Sequence, residues 1–250
     1  LPLQDGFDNA GLQIGLTEVE ATGALLCLDV TEAVLDEAIA LGHNLVISHH
    51  PLIFKGYKSI TGKDYVERCI LKAIKNDIVI YSAHTNLDNA YGGVNYKIAE
   101  KIGLKNLQVL EPKENSLQDD LMQAGAGIVG ELDEPETELE FLKRIKKTFE
   151  VGCVRHNRLT GREIQKVALC GGAGAFLLPQ AIRAGADVFI TGEIKYHDYF
   201  GHEGDILMAE IGHYESEQYT KEIFCEIIQK KFPTFAIHST QVDTNPINYL

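Results

Sequence analysis

The strongest constraint on the fold is an alternation, repeated along a 250-residue chain, of apolar runs of strand length with stretches of helical periodicity. Residues 23–30 (GALLCLDV) read as a strand. Thr31 can cap the helix that follows, because apolar residues recur at helical spacing up to Ile39 and the pattern stops at Gly42. Residues 45–47 form a second strand entering Ser48-His49-His50-Pro51. A helical stretch over 65–75 precedes a third strand at 78–81, which runs into His84-Thr85-Asn86-Leu87-Asp88. The later part repeats the theme, with strands near 151–154 and 167–170, then Gly171-Gly172-Ala173-Gly174 and a helix ending at Gly185. A strand at 188–190 enters Thr191-Gly192-Glu193, and one at 206–211 enters Gly212-His213-Tyr214-Glu215-Ser216-Glu217. A helix over about 217–230 follows. Such alternation predicts βαβ units and an α/β fold with mainly parallel sheets.

Residues 105–135 are the least regular. Six carboxylates fall within 131–140, and the spacing predicts the solvated first turns of a helix that continues to Phe149, where acidic groups suit the helix dipole. The expected division is a first half at 1–112, a connection at 113–130 and a second half at 131–250.

The halves carry a weak internal repeat. Shifting by 143 residues superposes Leu26, Cys27, Leu35, Ala38, Ile39, Gly42 and Ile47 on Leu169, Cys170, Leu178, Ala181, Ile182, Gly185 and Ile190. Shifting by 129 superposes His84-x-x-x-Asp88 on His213-x-x-x-Glu217, each directly after an apolar strand. Generic βαβ units produce matching apolar positions, but apolar periodicity does not generate a histidine and a carboxylate at matching strand ends.

In open parallel sheets ligands bind beyond the carboxyl ends of the strands. The ends here carry His49-His50, His84 with Asp88, Glu193, and His213 with Glu217, so these groups are expected to share one rim. Imidazole and carboxylate donors without thiolate suit zinc, iron, manganese, nickel or cobalt. Three imidazoles and two carboxylates exceed one open four-coordinate site, and carboxylates can bridge, so two divalent metal ions are the natural count. His84 can ligate, orient Asp88 or move protons, and the last two are favoured. Glu193-x-x-x-His197 is either a helix-surface pair or a substrate-binding and proton-transfer pair. His84, Glu193 and His197 are therefore the candidate catalytic residues. Gly171-Gly172-Ala173-Gly174 reads as a tight turn or a phosphate cradle, and it fails as a dinucleotide fingerprint.

Composition narrows the partners. With 23 Lys+Arg against 36 Asp+Glu the formal net charge is −13, which makes nucleic acid an unlikely partner and a small molecule the expected substrate. Five cysteines at 27, 69, 153, 170 and 225 form no C-x-x-C pair, as expected of reduced thiols in a cytoplasmic protein. No apolar run approaches the roughly 18 residues that a membrane span needs.

At Asp8-Asn9-Ala10-Gly11-Leu12-Gln13-Ile14-Gly15, Ser48-His49-His50-Pro51-Leu52, His84-Thr85-Asn86-Leu87-Asp88, Thr191-Gly192-Glu193 and 212–217 the chain resembles the NIF-three-like family, also called the type 2 homologues of GTP cyclohydrolase I. The resemblance implies two similar α/β halves, a dinuclear metal site shared between them and a ring-shaped homohexamer. It carries the ligand roles to His49, His50, Asp88, His213 and Glu217, with Glu217 as a bridge. Longer members carry an inserted domain, and the abrupt join at 115–120, followed by a re-entry at 123–131, suggests an insertion point. The expected activity is metal-dependent hydrolysis of a small phosphate-containing or nucleotide-like molecule. The alternative is a metal-binding regulatory or scaffold protein without turnover.

Overall fold

The computed structural model describes residues 2–113, 124–202 and 204–250. In chain order the elements are β1 (Gly11–Ile14), β2 (Ala24–Cys27), α1 (Glu32–Ala40), β3 (Leu45–Ser48), α2 (Tyr65–Lys75), β4 (Val79–Ser82), α3 (Thr85–Asp88), α4 (Val94–Ile102), β5 (Lys105–Pro112), β6 (Gly125–Thr137) and α5 (Glu138–Thr148). There follow β7 (Arg155–His156), β8 (Glu163–Cys170), α6 (Leu178–Arg183), β9 (Val188–Thr191), β10 (Leu207–Glu210), α7 (His213–Glu217), α8 (Thr220–Lys231) and β11 (Ile237–Ser239). Two compact units result: Leu1–Leu87 with Thr220–Pro246, and Asp88–Tyr219 with Ile247–Leu250. The first break falls inside α3. These packing units are not contiguous halves, so the sequence boundaries at 112 and 131 both lie within the second unit. The suggested insertion point at 115–120 lies outside the described residues, whereas 125–130 opens β6.

In the first unit a five-stranded sheet runs β1-β4-β3-β2-β11. The four strands from β4 to β11 are parallel, and β1 pairs antiparallel with β4. Leu25 and Cys27 pack with Val34, Leu35 and Ala38 of α1 and with Cys69, Ile70 and Ala73 of α2. Ala24 and Leu26 on the opposite face of β2 are also fully buried, and α8 packs against that strand. Burial on both faces is why residues 24–27 form an unbroken apolar run rather than an alternating one. Thr31 caps α1 as expected, its side chain accepting from the Val34 amide.

The second unit contains a six-stranded sheet ordered β5-β6-β8-β9-β10-β7. Its centre, β8-β9-β10, is parallel, and antiparallel strands flank it on both sides. The repeat holds to the register: β2 and β3 pair Ala24 with Leu45, and β8 and β9 pair Val167 with Val188, the same residues offset by 143. Gly42 and Gly185 take matching positive φ angles of 70° and 67° as they close α1 and α6.

The acidic run departs from expectation. Residues 131–137 continue β6, and α5 starts at Glu138. Pro135 disfavours helical backbone at Glu134, and a capping box between Thr137 and Glu140 fixes the helix start just beyond it. The strand expected near 151–154 is likewise displaced, to the two residues of β7. No described helix is long and apolar enough to cross a membrane.

Candidate metal centre

His49 and His50 leave the carboxyl end of β3, and His84 leaves the neighbouring end of β4. Parallel pairing of Ser48 with Ser82 sets the two ends level. The Ser48 and Ser82 hydroxyls lie 2.8 Å apart, and Ser48 also donates to the His50 carbonyl at 2.9 Å, which fixes the backbone where the strand stops. One ring nitrogen from each of His49, His50 and His84 lies within 4.8 Å of the other two. The ring centroids are 4.9 to 5.5 Å apart.

Each of these rings is oriented through Nδ1. The His49 Nδ1 is 2.9 Å from the Ala83 carbonyl, the His50 Nδ1 is 2.7 Å from Asp29 Oδ1, and the His84 Nδ1 is 2.7 Å from Asp8 Oδ1. A carbonyl or carboxylate can only accept, so Nδ1 carries the proton and, in the neutral ring, Nε2 carries the lone pair. Acceptors of this kind, behind the ring and opposite the donor nitrogen, are what hold metal-binding imidazoles in one tautomer and raise their basicity. Asp8 is buried and is itself held by the Thr85 amide (3.1 Å) and hydroxyl (2.6 Å). Burial pushes its pKa upward, but the Thr85 and His84 hydrogen bonds outweigh that and leave the carboxyl below its ordinary value. It therefore stays an anion behind His84.

The second unit repeats the device. His213 opens α7, its Nδ1 lies 2.8 Å from Glu193 Oε1, and its Nε2 lies 3.1 Å from Glu217 Oε2 one helical turn on. Glu217 is buried, 4% exposed. Gly172 makes room for it: a side chain there would collide with Glu217 Oε1, and the residue has φ +58°. The glycine turn leaves room for the carboxylate, and three of its amides are taken up within the protein. Its amides at Gly171, Gly172 and Gly174 donate to Asn95 Oδ1, Ser216 Oγ and Thr191 Oγ1, at 2.9, 3.0 and 3.0 Å. Asn95 also donates to the Asp88 carbonyl at 3.0 Å, which positions that residue at the end of α3.

In the strand register β4 and β10 are offset by 128, one less than the offset of the histidines, because Leu45 pairs with Val79 and Val188 with Leu207. The extra residue falls between β10 and His213, where Gly212 has φ +91°. Glu193 Oε1 lies against His213 Nδ1 and orients that ring. His197 is exposed in a turn over Tyr196–Tyr199 and lines a cleft with Glu193, and no helix joins the two.

Sequence reasoning missed Asp8 and Asp29, the carboxylates behind His84 and His50. Asp29 had a signal, an acidic residue at the end of the apolar run 23–30, and Asp8 lay within the quoted Asp8-Asn9 motif. The chemistry of the donor set fits a borderline transition-metal cation: imidazole nitrogens with a carbonyl or a carboxylate behind each ring, and no thiolate among them.

A relative from Clostridium perfringens named GTP cyclohydrolase 1 type 2 homolog is 38% identical over 218 residues, covering 86% of this chain and 80% of its own. One of the same name from Lactococcus lactis is 34% identical over 249 residues, covering 96% and 90%. The crystal structure of a Bacillus cereus protein related to NIF3 superposes with a TM-score of 0.88 at 28% identity, covering 99% of this chain and 94% of that one. The family model Duf34/NIF3 (NGG1p interacting factor 3) matches residues 1–246. The chain therefore belongs to the Duf34/NIF3 family.

Proposed function

We propose that the chain is a dinuclear metal-dependent hydrolase of a small phosphate-containing or nucleotide-like substrate, in which His49, His50, Asp88, His213 and Glu217 would hold the two ions. The observation that carries this reading is the shared orientation of four histidines: the Nδ1 atoms of His49, His50, His84 and His213 each lie against a carbonyl or carboxylate, the kind of partner found behind metal-binding imidazoles. The names of the relatives, GTP cyclohydrolase 1 type 2 homolog, support hydrolysis of this substrate class. Bound there, two divalent cations would supply Lewis acidity toward a substrate oxygen and lower the pKa of water.

The protein groups then have separable tasks. Asp8 keeps a proton on His84 Nδ1, so His84 Nε2 takes a proton from water and returns it to the leaving group. Glu193 aligns His213, and Glu217 is held against the Gly172 turn, so neither ligand must reorganise during the reaction. His197 lies on the wall of the adjoining cleft, where it meets substrate. The reading extends to a cytoplasmic homohexamer, as the family resemblance implies.

The test is hydrolysis of a panel of phosphoesters, nucleotides and cyclic amides by metal-replete protein and by a His84→Ala variant. Turnover of at least one member of the panel is expected, with a loss of 100-fold or more in kcat for the variant and its metal content retained. No turnover across the panel, together with metal removal that alters only melting temperature or assembly, would establish the scaffold role instead.

A further inference from the structure

A cleft of about 660 Å³ opens in the second unit beside the edge strand β7, and its lining departs from the acidic character of the chain. Arg155, His156 and Arg158 line it together with Tyr196, Tyr199 and Phe200. Part of this lining is preset. Arg155 donates to Glu210 Oε1 at 2.7 Å and lies 5.8 Å from the Tyr199 ring centroid, while the Tyr199 hydroxyl donates to Glu210 Oε2 at 3.2 Å. Arg158 differs. It is exposed, and among the described residues no hydrogen bond or ion pair holds its guanidinium.

The aromatic side is equally suggestive. Tyr196 and Phe200 are 68% and 55% exposed, and their rings meet at 5.3 Å with planes 67° apart. Two large rings left in water form a stacking platform for another planar ring. An unengaged guanidinium beside them supplies the paired donors that planar anions and phosphates accept. The cleft volume lies in the range of small-ligand sites, roughly 300–1,000 Å³.

We propose that this cleft binds a small aromatic anion, a planar ring carrying a phosphate, with the ring on the Tyr196–Phe200 platform and the phosphate on Arg158. Phe200 also lines a second cleft, of about 570 Å³, which contains Glu193 and His197. Glu193 is the group that holds His213. The first cleft thus anchors the substrate and the second leads its reacting end toward His213, a consequence that rests on the hydrolase reading, although binding in the first cleft does not.

Calorimetric titration of chelator-treated protein with the four common nucleoside 5′-monophosphates, the parent nucleosides and inorganic phosphate tests the cleft without metal. At least one monophosphate is expected to bind, with its nucleoside and phosphate alone each tenfold weaker or more. Arg158→Gln is expected to weaken the monophosphate at least tenfold and leave the nucleoside unchanged, whereas Tyr196→Ala weakens both. Both positions are exposed, and unchanged melting temperatures would show that the variants fold. Absence of binding by all four monophosphates, or equal binding by wild type and Arg158→Gln, overturns the proposal. Metal uptake by the same untreated protein reads the metal centre separately: failed uptake with intact monophosphate binding removes the hydrolase reading and keeps the cleft.

Discussion

Replacing Asp29 with Asn and, separately, with Ala divides charge from geometry at His50. In the native protein Asp29 Oδ1 lies 2.7 Å from His50 Nδ1, with side-chain exposures of 34% and 17% respectively, and Thr244 donates to Asp29 Oδ2 at 2.9 Å. Asn keeps an acceptor of nearly the same shape but loses the charge that raises the basicity of Nε2. If the amide turns to satisfy Thr244, its NH2 faces the imidazole, favours the other tautomer and makes Nε2 a donor, which no cation accepts. Removing a partner behind a metal-bound histidine costs about 10- to 100-fold in metal affinity, or about 1.4 to 2.7 kcal/mol. Asp29→Asn falls at the lower end if its carbonyl faces the ring and at the upper end if its NH2 does. Asp29→Ala frees the ring to rotate and loses affinity in the same range. The partial exposure of Asp29 limits the folding cost, so thermal melts of metal-stripped protein should shift little. Competition against a chromogenic chelator, with zinc as probe, reads the affinities. Wild-type affinity in both variants would refute the argument that Nδ1 partners prepare these histidines for metal.

Three further outcomes are expected. Gly172→Ala forces a side chain onto Glu217 Oε1 at φ +58°; the left-handed backbone alone costs about 1–2 kcal/mol, so chemical denaturation should show at least that loss, together with weakened metal uptake. Buried Glu67 accepts from the Thr61 amide and hydroxyl and from the Lys63 amide, and the Thr61 amide leads in holding its pKa down to about 2 from 4.5. A depressed carboxylate stabilises above its unfolded pKa, so the melting-temperature deficit of Glu67→Gln should be full above pH 4.5 and shrink as the pH falls toward 2; a deficit independent of pH would contradict this. Cys153 is exposed, whereas Cys27, Cys69 and Cys170 are buried, and burial pushes the Cys27 and Cys69 thiols upward; a thiol reagent should label Cys153 in the native protein and reach the buried three only on unfolding.

Much of the fold could be read from local pattern, because βαβ units write their strands as apolar runs and their helix ends as Gly42 and Gly185. The offset of 143 even anticipated the register of β2 with β3 and of β8 with β9. Other elements depended on distant partners. β11 completes the first sheet by pairing with β2 across more than 200 residues, for which no local pattern exists. β6 was hidden because its acidic end resembles a helix start until Pro135 and the Thr137–Glu140 box are weighed together. At the candidate site, histidines at strand ends stood out because nine are present in the whole chain, whereas Asp8 and Asp29 are two carboxylates among 36. Their importance lies in meeting His84 and His50 in space, 76 and 21 residues away in sequence.

The most direct test of the account is elemental analysis of protein purified with neither chelator nor added metal. It predicts about two equivalents of a divalent transition metal per chain, falling in His49→Ala and His213→Ala. Metal-free protein that takes up none of zinc, iron, manganese, nickel or cobalt on titration would contradict it.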